Sequence, residues 1–210
     1  MRRTTLVLLA AATLVLGGCA GARTRTVDLT YTPSPRPSTS GTASLIKTVA
    51  VATFVDAREQ TDRIGLRKEG AGETVFVAKA SLSEVVTEAI AKQLSADGYQ
   101  VTRLGEAWDP RTGSVPSTGA DLVVGGVIEQ FYGETDGRYV WSPVEASVRL
   151  RVAVASPKHN RIVSESLIRS DLSGTVTSQS LERNLKERFQ TAIAQVPLVQ
   201  GLEPSTTGSR

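Results

Sequence analysis

The sequence predicts an α+β domain: a single antiparallel or mixed sheet with two helices on one face, in the order β-α-β-β-β-β-α. Three observations carry that expectation. Val144, Ala146, Val148, Leu150, Val152 and Val154 alternate with Glu145, Ser147, Arg149 and Arg151, the pattern of a sheet with one buried and one wet face. Leu82, Val85, Val86, Ala89, Ile90 and Leu94 recur at helical spacing, as do Leu181, Leu185, Phe189, Ala192 and Val196, so two helices each present one apolar stripe. One sheet with both helices on one side would cover every stripe.

Taken in order, Ile46 to Val55 is a β-branched run that reads as a buried strand. Residues 56–79 read as a long loop with a short strand at Thr74–Val77. Ser81 and Glu84 have the spacing of a capping box at a helix start, and Gly98 supplies a left-handed stop. Tyr99 to Leu104 is a short strand, and Leu122 to Tyr132 a strong one after the loop over 105–119. Gly125-Gly126 within it marks a close helix approach rather than a phosphate loop. The alternating strand over 144–155 turns at Pro157-Lys158-His159-Asn160 into a strand from Arg161 to Arg169. The last helix runs from about Ser178 until Pro197 stops it.

The two ends are of a different character. Arg2 and Arg3 precede an apolar run from Leu6 to Leu16, followed by Gly17-Gly18-Cys19. A basic start, a short greasy segment and small residues at the cut make residues 1–18 a signal peptide. The run is too short for a bilayer, which takes roughly 20 residues. Leu16-Gly17-Gly18-Cys19 resembles the lipobox of bacterial lipoproteins, where only a cysteine thiol can accept the diacylglycerol before cleavage frees its amine for a further acyl chain. Cys19 is the only cysteine, so the exported domain holds no intrachain disulfide or cysteine metal cluster. Two or three acyl chains there make a firm membrane anchor. Ala20 follows, where an aspartate would resemble the inner-membrane retention signal of enterobacterial lipoproteins, so the cell outer membrane is favoured with the body facing the periplasm.

Residues 19–44, rich in Thr, Ser, Pro, Gly and Arg, read as the lipidated N-terminus and a flexible tether without a stripe to bury. Residues 45–200 form one periplasmic domain, and 201–210 read as a disordered tail. Without Arg2 and Arg3 the mature chain carries 22 basic and 21 acidic residues. That balance, like the compartment, argues against nucleic acid.

Chemistry-bearing constellations are sparse. His159 is the only histidine and sits in a turn, so a Ser-His-Asp triad or a two-histidine metal site lacks its parts. Neither a metal nor another cofactor is expected. Asp56, Arg58, Asp62 and Arg63 form the densest charged stretch. By type the two aspartates are acid–base candidates, but interleaved arginines favour loop ion pairs. The more informative cluster is aromatic: Phe131, Tyr132, Tyr139 and Trp141 flank Asp136-Gly137, a strong two-residue turn signal. Closed there, the hairpin pairs Tyr132 with Trp141 and Glu134 with Tyr139. Tyr132, Tyr139 and Trp141 then share the face away from the helices, with Val140 and Phe131 facing in. Such a face is either cross-strand packing or a partner-binding surface.

Val49-Ala50-Val51-Ala52-Thr53-Phe54-Val55-Asp56-Ala57-Arg58, the helix end Gln93-Leu94-Ser95-Ala96-Asp97-Gly98-Tyr99, and Ala120-Asp121-Leu122-Val123-Val124-Gly125-Gly126-Val127-Ile128 together resemble the YajG family of bacterial outer-membrane lipoproteins. The resemblance spans most of residues 46–197. It implies an outer-membrane lipoprotein with no catalytic residues to carry over. The expected function is therefore a non-enzymatic envelope lipoprotein, held to the membrane through Cys19 and docking a periplasmic or membrane partner. The alternative is a carrier of apolar ligands such as lipids, which a deep apolar cavity would favour.

Overall fold

The computed structural model describes residues 22–36, 48–70, 72–112, 114–177 and 180–197. The expected signal peptide over 1–18, Cys19 and the expected tail over 201–210 lie outside these residues. Nine strands, two α-helices and two short 3-10 turns are described: β1 Arg23–Val27, β2 Thr48–Thr53, β3 Val55–Asp56, β4 Gly65–Glu69, β5 Gly72–Ala78, α1 Leu82–Ala96, β6 Gln100–Ala107, β7 Leu122–Asp136, β8 Trp141–Ser156, β9 Arg161–Thr177 and α2 Leu181–Ala194.

The architecture is mixed α+β. Its spine is β7, which pairs antiparallel with β8 on one side, and β8 pairs antiparallel with β9. On its other side β7 pairs parallel with three short strands in succession along its length, β2, β3 and β4. Beyond β2 lies β6, and beyond β4 lie β5 and then β1. Both helices pack on the same face. Val86, Ile90 and Leu94 of α1 and Leu185, Phe189 and Ile193 of α2 share one core with Val49, Val51, Val124, Ile128, Phe131 and the alternating row from Val144 to Val154. Residues 144–154 thus alternate as expected, apart from the β2 end of the sheet, where both faces are covered. There Trp108, 3% exposed, packs with Ala50, Ala52, Val123, Ala153 and Ala155 on the side away from the helices.

Several expectations change. The strand order has more members than β-α-β-β-β-β-α, because residues 56–79 fold into the β4–β5 hairpin and because β1 precedes everything else. At Gly125 the close approach is by the Trp108 indole, 2.7 Å from where a Cβ would sit, and not by a helix. Helix α2 comes closest at Gly133, against Leu181 and Leu185. Ser81 does precede α1 but makes no side-chain cap; the helix is tied down by Thr87, whose hydroxyl accepts from the Phe54 amide at 3.0 Å. Gly98 ends α1 at φ +95° as expected.

The largest correction concerns the tether. Residues 22–36 are a strap on the body. β1 pairs parallel with β5, and Val27, Leu29 and Tyr31 alternate into the core while Asp28 and Thr30 face water. Tyr31 meets Phe189 edge-on at 6.2 Å, and its hydroxyl donates to Gln93. Arg36 closes the strap by pairing with Asp97, whose side chain is 1% exposed, while also donating to the Ala194 and Val196 carbonyls at the end of α2. A guanidinium is favourable at that negative end of the helix dipole. The alternation Val27-Asp28-Leu29-Thr30-Tyr31 was a readable strand signal, masked by the polar residues on both sides of it.

Candidate functional site

The β7–β8 connection is the most exposed apolar feature among the described residues. It does not close as a two-residue turn. The Gly137 amide donates to the Lys68 carbonyl of β4 at 2.6 Å, and the Thr135 hydroxyl donates to the Pro143 carbonyl at 2.8 Å. These bonds draw Asp136 toward β4 and widen the loop, so that Thr135 pairs with Val144 and Tyr132 with Ser147. Trp141 instead pairs with Thr177 of β9. The register is displaced by an even number of residues, so the expected faces of Tyr132 and Trp141 survive but their partnership does not. Ser147 lies six positions along β8 from Trp141, about 20 Å of strand. Tyr132 is therefore removed from the cluster. It lies half-buried on the polar outer face, on a shallow surface it shares with Glu134, Glu145, Arg149 and Asp171. Burial, with Glu134 adding to it, raises its phenol above the usual range.

What remains together is a tip of Tyr139, Val140 and Trp141, at 64%, 74% and 67% exposure. Val140 was expected to face inward; the widened loop turns it out. The tip is nonetheless built. The Arg138 amide and Nε donate to Asp136 Oδ1 at 3.0 and 2.8 Å, and the guanidinium stands 5.9 Å from the centre of the Tyr139 ring, within cation–π range. This pairing holds the Asp136 carboxyl down at about 2. Ser142, buried beneath, donates to the Tyr139 carbonyl at 3.1 Å. Sequence reasoning missed Arg138, although its position two residues after an aspartate suits an Asx turn.

The charged loop after β3 is an internal staple. Arg58, its side chain 5% exposed, makes a two-pronged pair with Asp56 at 2.8 and 2.9 Å. It also donates to the carbonyls of Thr61, Arg63 and Phe131. Every arm of the guanidinium is engaged in holding residues 57–64 against β7. Asp62 and Arg63 form a separate exposed pair, and Arg63 pulls the Asp62 carboxyl below its usual range. The cleft beside the staple measures about 440 Å³ and is lined by Arg58, Glu59, Gln60, Glu129 and Tyr132 among others. His159 sits in the expected turn, its Nδ1 3.0 Å from the Ser156 hydroxyl. Among the described residues no helix is long and apolar enough to cross a membrane, and no group of three His, Cys, Asp or Glu side chains is placed to hold a metal.

No family model matches the chain, and no curated protein matches it. Solved structures share its fold. Protein XCC0632 from Xanthomonas campestris, described under the family DUF330, is 14% identical, with a TM-score of 0.55 over 82% of this chain and 89% of its own. An uncharacterised protein is 9% identical, with a TM-score of 0.51 over 82% and 95%. A looser likeness, TM-score 0.39 at 10% identity over 61% and 84%, is to lipoprotein GNA1162 from Neisseria meningitidis. None of the three bears the YajG name, and at these identities the first two likenesses are of fold alone.

Proposed function

We propose that this chain is a lipid-anchored envelope protein, non-enzymatic, held through Cys19 in the outer membrane with its domain facing the periplasm, and that it works by docking a periplasmic or membrane partner. The anchor rests on the lipobox-like Leu16-Gly17-Gly18-Cys19. YajG membership is part of the same reading and rests on the motifs quoted above. The observation that carries the docking role is the tip: three adjacent apolar side chains are held in water by a hydrogen-bonded loop at the end of the two longest strand pairings. Exposed Tyr and Trp on a rigid support are where binding energy concentrates.

The carrier reading ranks second. The apolar face of the sheet is filled by α1, α2 and the strap, and the cleft beside the staple is lined mainly by charged and amide side chains. Asp56, an acid–base candidate by residue type, is paired with Arg58, which favours a structural over a catalytic role for it.

Two measurements test the proposal. Cys19→Ser should abolish incorporation of a labelled fatty acid, and label retained by the variant would overturn the anchor. A photoreactive residue at position 139 should crosslink in intact cells, to lipid or protein. A tip that stays uncrosslinked while the folded chain is present at normal level would overturn the docking role.

A further inference from the structure

The strand register places the tip and the start of the strap at the same end of the molecule. Arg23 of β1 pairs with Thr74, Thr74 with Arg67, Arg67 with Thr135, and Thr135 with Val144. These residues form one row across five strands. β1 runs antiparallel to β7, so the chain leading back from Arg23 toward Cys19 leaves the sheet on the side where β7 runs out into the tip. Arg23 lies four positions after Cys19, and covalent geometry limits the reach between them to about 14 Å whatever the path. Three strand spacings separate β1 from β7, again about 14 Å. Twist of about 20–25° per strand inclines the two exits but leaves both on one end of the sheet.

We infer that the tip's partner is the bilayer that carries the anchor: Tyr139, Val140 and Trp141 seat in the headgroup region beside the acylated Cys19 and fix the domain's orientation on the membrane. This rests on the reading of Cys19 as a lipidated residue. Trp and Tyr suit that zone because an apolar ring and a polar N–H or O–H can each meet their own medium. Four charge pairs at this end are neutral, Asp136 with Arg138, Lys68 with Glu134, Arg67 with Glu69, and Arg25 with Glu182, beside the further charges Arg23, Glu73 and Glu145. Arg138 stands over the Tyr139 ring with its guanidinium held by Asp136. Of the four large apolar side chains exposed among the described residues, three are at this end. The Pro157–His159 turn, at the far end of β8, presents Lys158, His159 and Asn160 instead.

The chain's two tryptophans make the test direct, because Trp108 is buried and Trp141 is not. The mature acylated protein is reconstituted in phosphatidylethanolamine–phosphatidylglycerol vesicles, with plain or chain-brominated lipids. Trp141 emission should shift to shorter wavelength, lose most of its intensity to brominated lipid, and resist aqueous acrylamide. Trp141→Phe should leave only the Trp108 signal, insensitive to bromine. The mass of the same sample reports the acyl chains on Cys19. An acylated protein whose Trp141 stays open to acrylamide and blind to bromine overturns the membrane-facing tip while the anchor stands. The same silence in vesicles, with position 139 crosslinking to a protein in cells, overturns it in favour of a protein partner. A mature chain without acyl groups overturns the anchor and this inference together.

Discussion

The strap over 22–36 and the tip over 137–141 are opposites. The strap is polar in composition, yet Val27, Leu29 and Tyr31 are buried and Arg36 is locked to Asp97. The tip is apolar in composition, yet its side chains stand in water. The difference teaches that local composition reports what a segment can tolerate, whereas burial depends on what the rest of the chain leaves uncovered. Three alternating apolar residues suffice for a strap where β5 offers an unpaired edge and the two helices leave a gap. Three contiguous apolar residues cannot all be buried in a loop that overhangs the end of its sheet.

The largest expected effect is removal of the strap. A chain beginning at Ser44 loses the burial of Val27, Leu29 and Tyr31, each about 1.5–3 kcal/mol, against a typical total stability of about 5–15 kcal/mol. It should melt far below the chain that retains residues 20–210, or without a cooperative transition. A melt within a few degrees would reduce the strap to a decoration. Tyr31→Ala isolates its main anchor and should cost about 3 kcal/mol, a typical aromatic truncation in a core, read from chemical denaturation. Arg36→Ala removes a charge-assisted clasp and should cost about 1.5–3 kcal/mol. A smaller loss would show that β1 alone holds the strap.

At the tip the expected stability effects shrink. Tyr139→Ala and Trp141→Ala should stay within about 0.5 kcal/mol of the parent in denaturation, while changing membrane or partner contact. If either melts early, the tip is packing after all and the contrast with the strap fails. The smallest effect is the pH dependence of the Asp136–Arg138 pair. The folded carboxyl lies below its usual value, at about 2. Its contribution is therefore complete above the unfolded carboxylate range and is lost as pH falls from about 4 toward 2. Because the pair lies at the surface of the tip and is screened by water, the loss should appear as a local change at Arg138 and Tyr139, visible by NMR, and not as an earlier global melt.

Legibility in the sequence followed the same division. Both helices and the row from Val144 to Val154 were readable because their apolar spacing matches the period of the element and each buries one whole face. The turn at Pro157–Asn160 was readable from its residues alone. Of the β4–β5 hairpin only the second strand was, as the short strand at Thr74–Val77; β4 was not, since Arg67, Lys68 and Glu69 leave Leu66 as its one large apolar residue. Of the hairpin geometry expected for Tyr132, Tyr139 and Trp141, the shared face was kept and the pairing of Tyr132 with Trp141 was not. An even displacement of register preserved the faces but moved Tyr132 about 20 Å from Trp141.

By itself, then, the sequence determined the helical stripes, the alternation of β8, the turn before β9, and the lipobox-like placement of the single cysteine. Each of these is a local pattern or a covalent position, so nothing distant is needed to specify it. The tertiary structure alone decided that β1 would dock on β5, that Trp108 would fill the space above Gly125, and that Gly137 would bond to Lys68 and open the hairpin. The reason is that each joins residues far apart in the chain. Which edge is free, which glycine leaves room and which carbonyl lacks a donor become definite only once the strands are side by side.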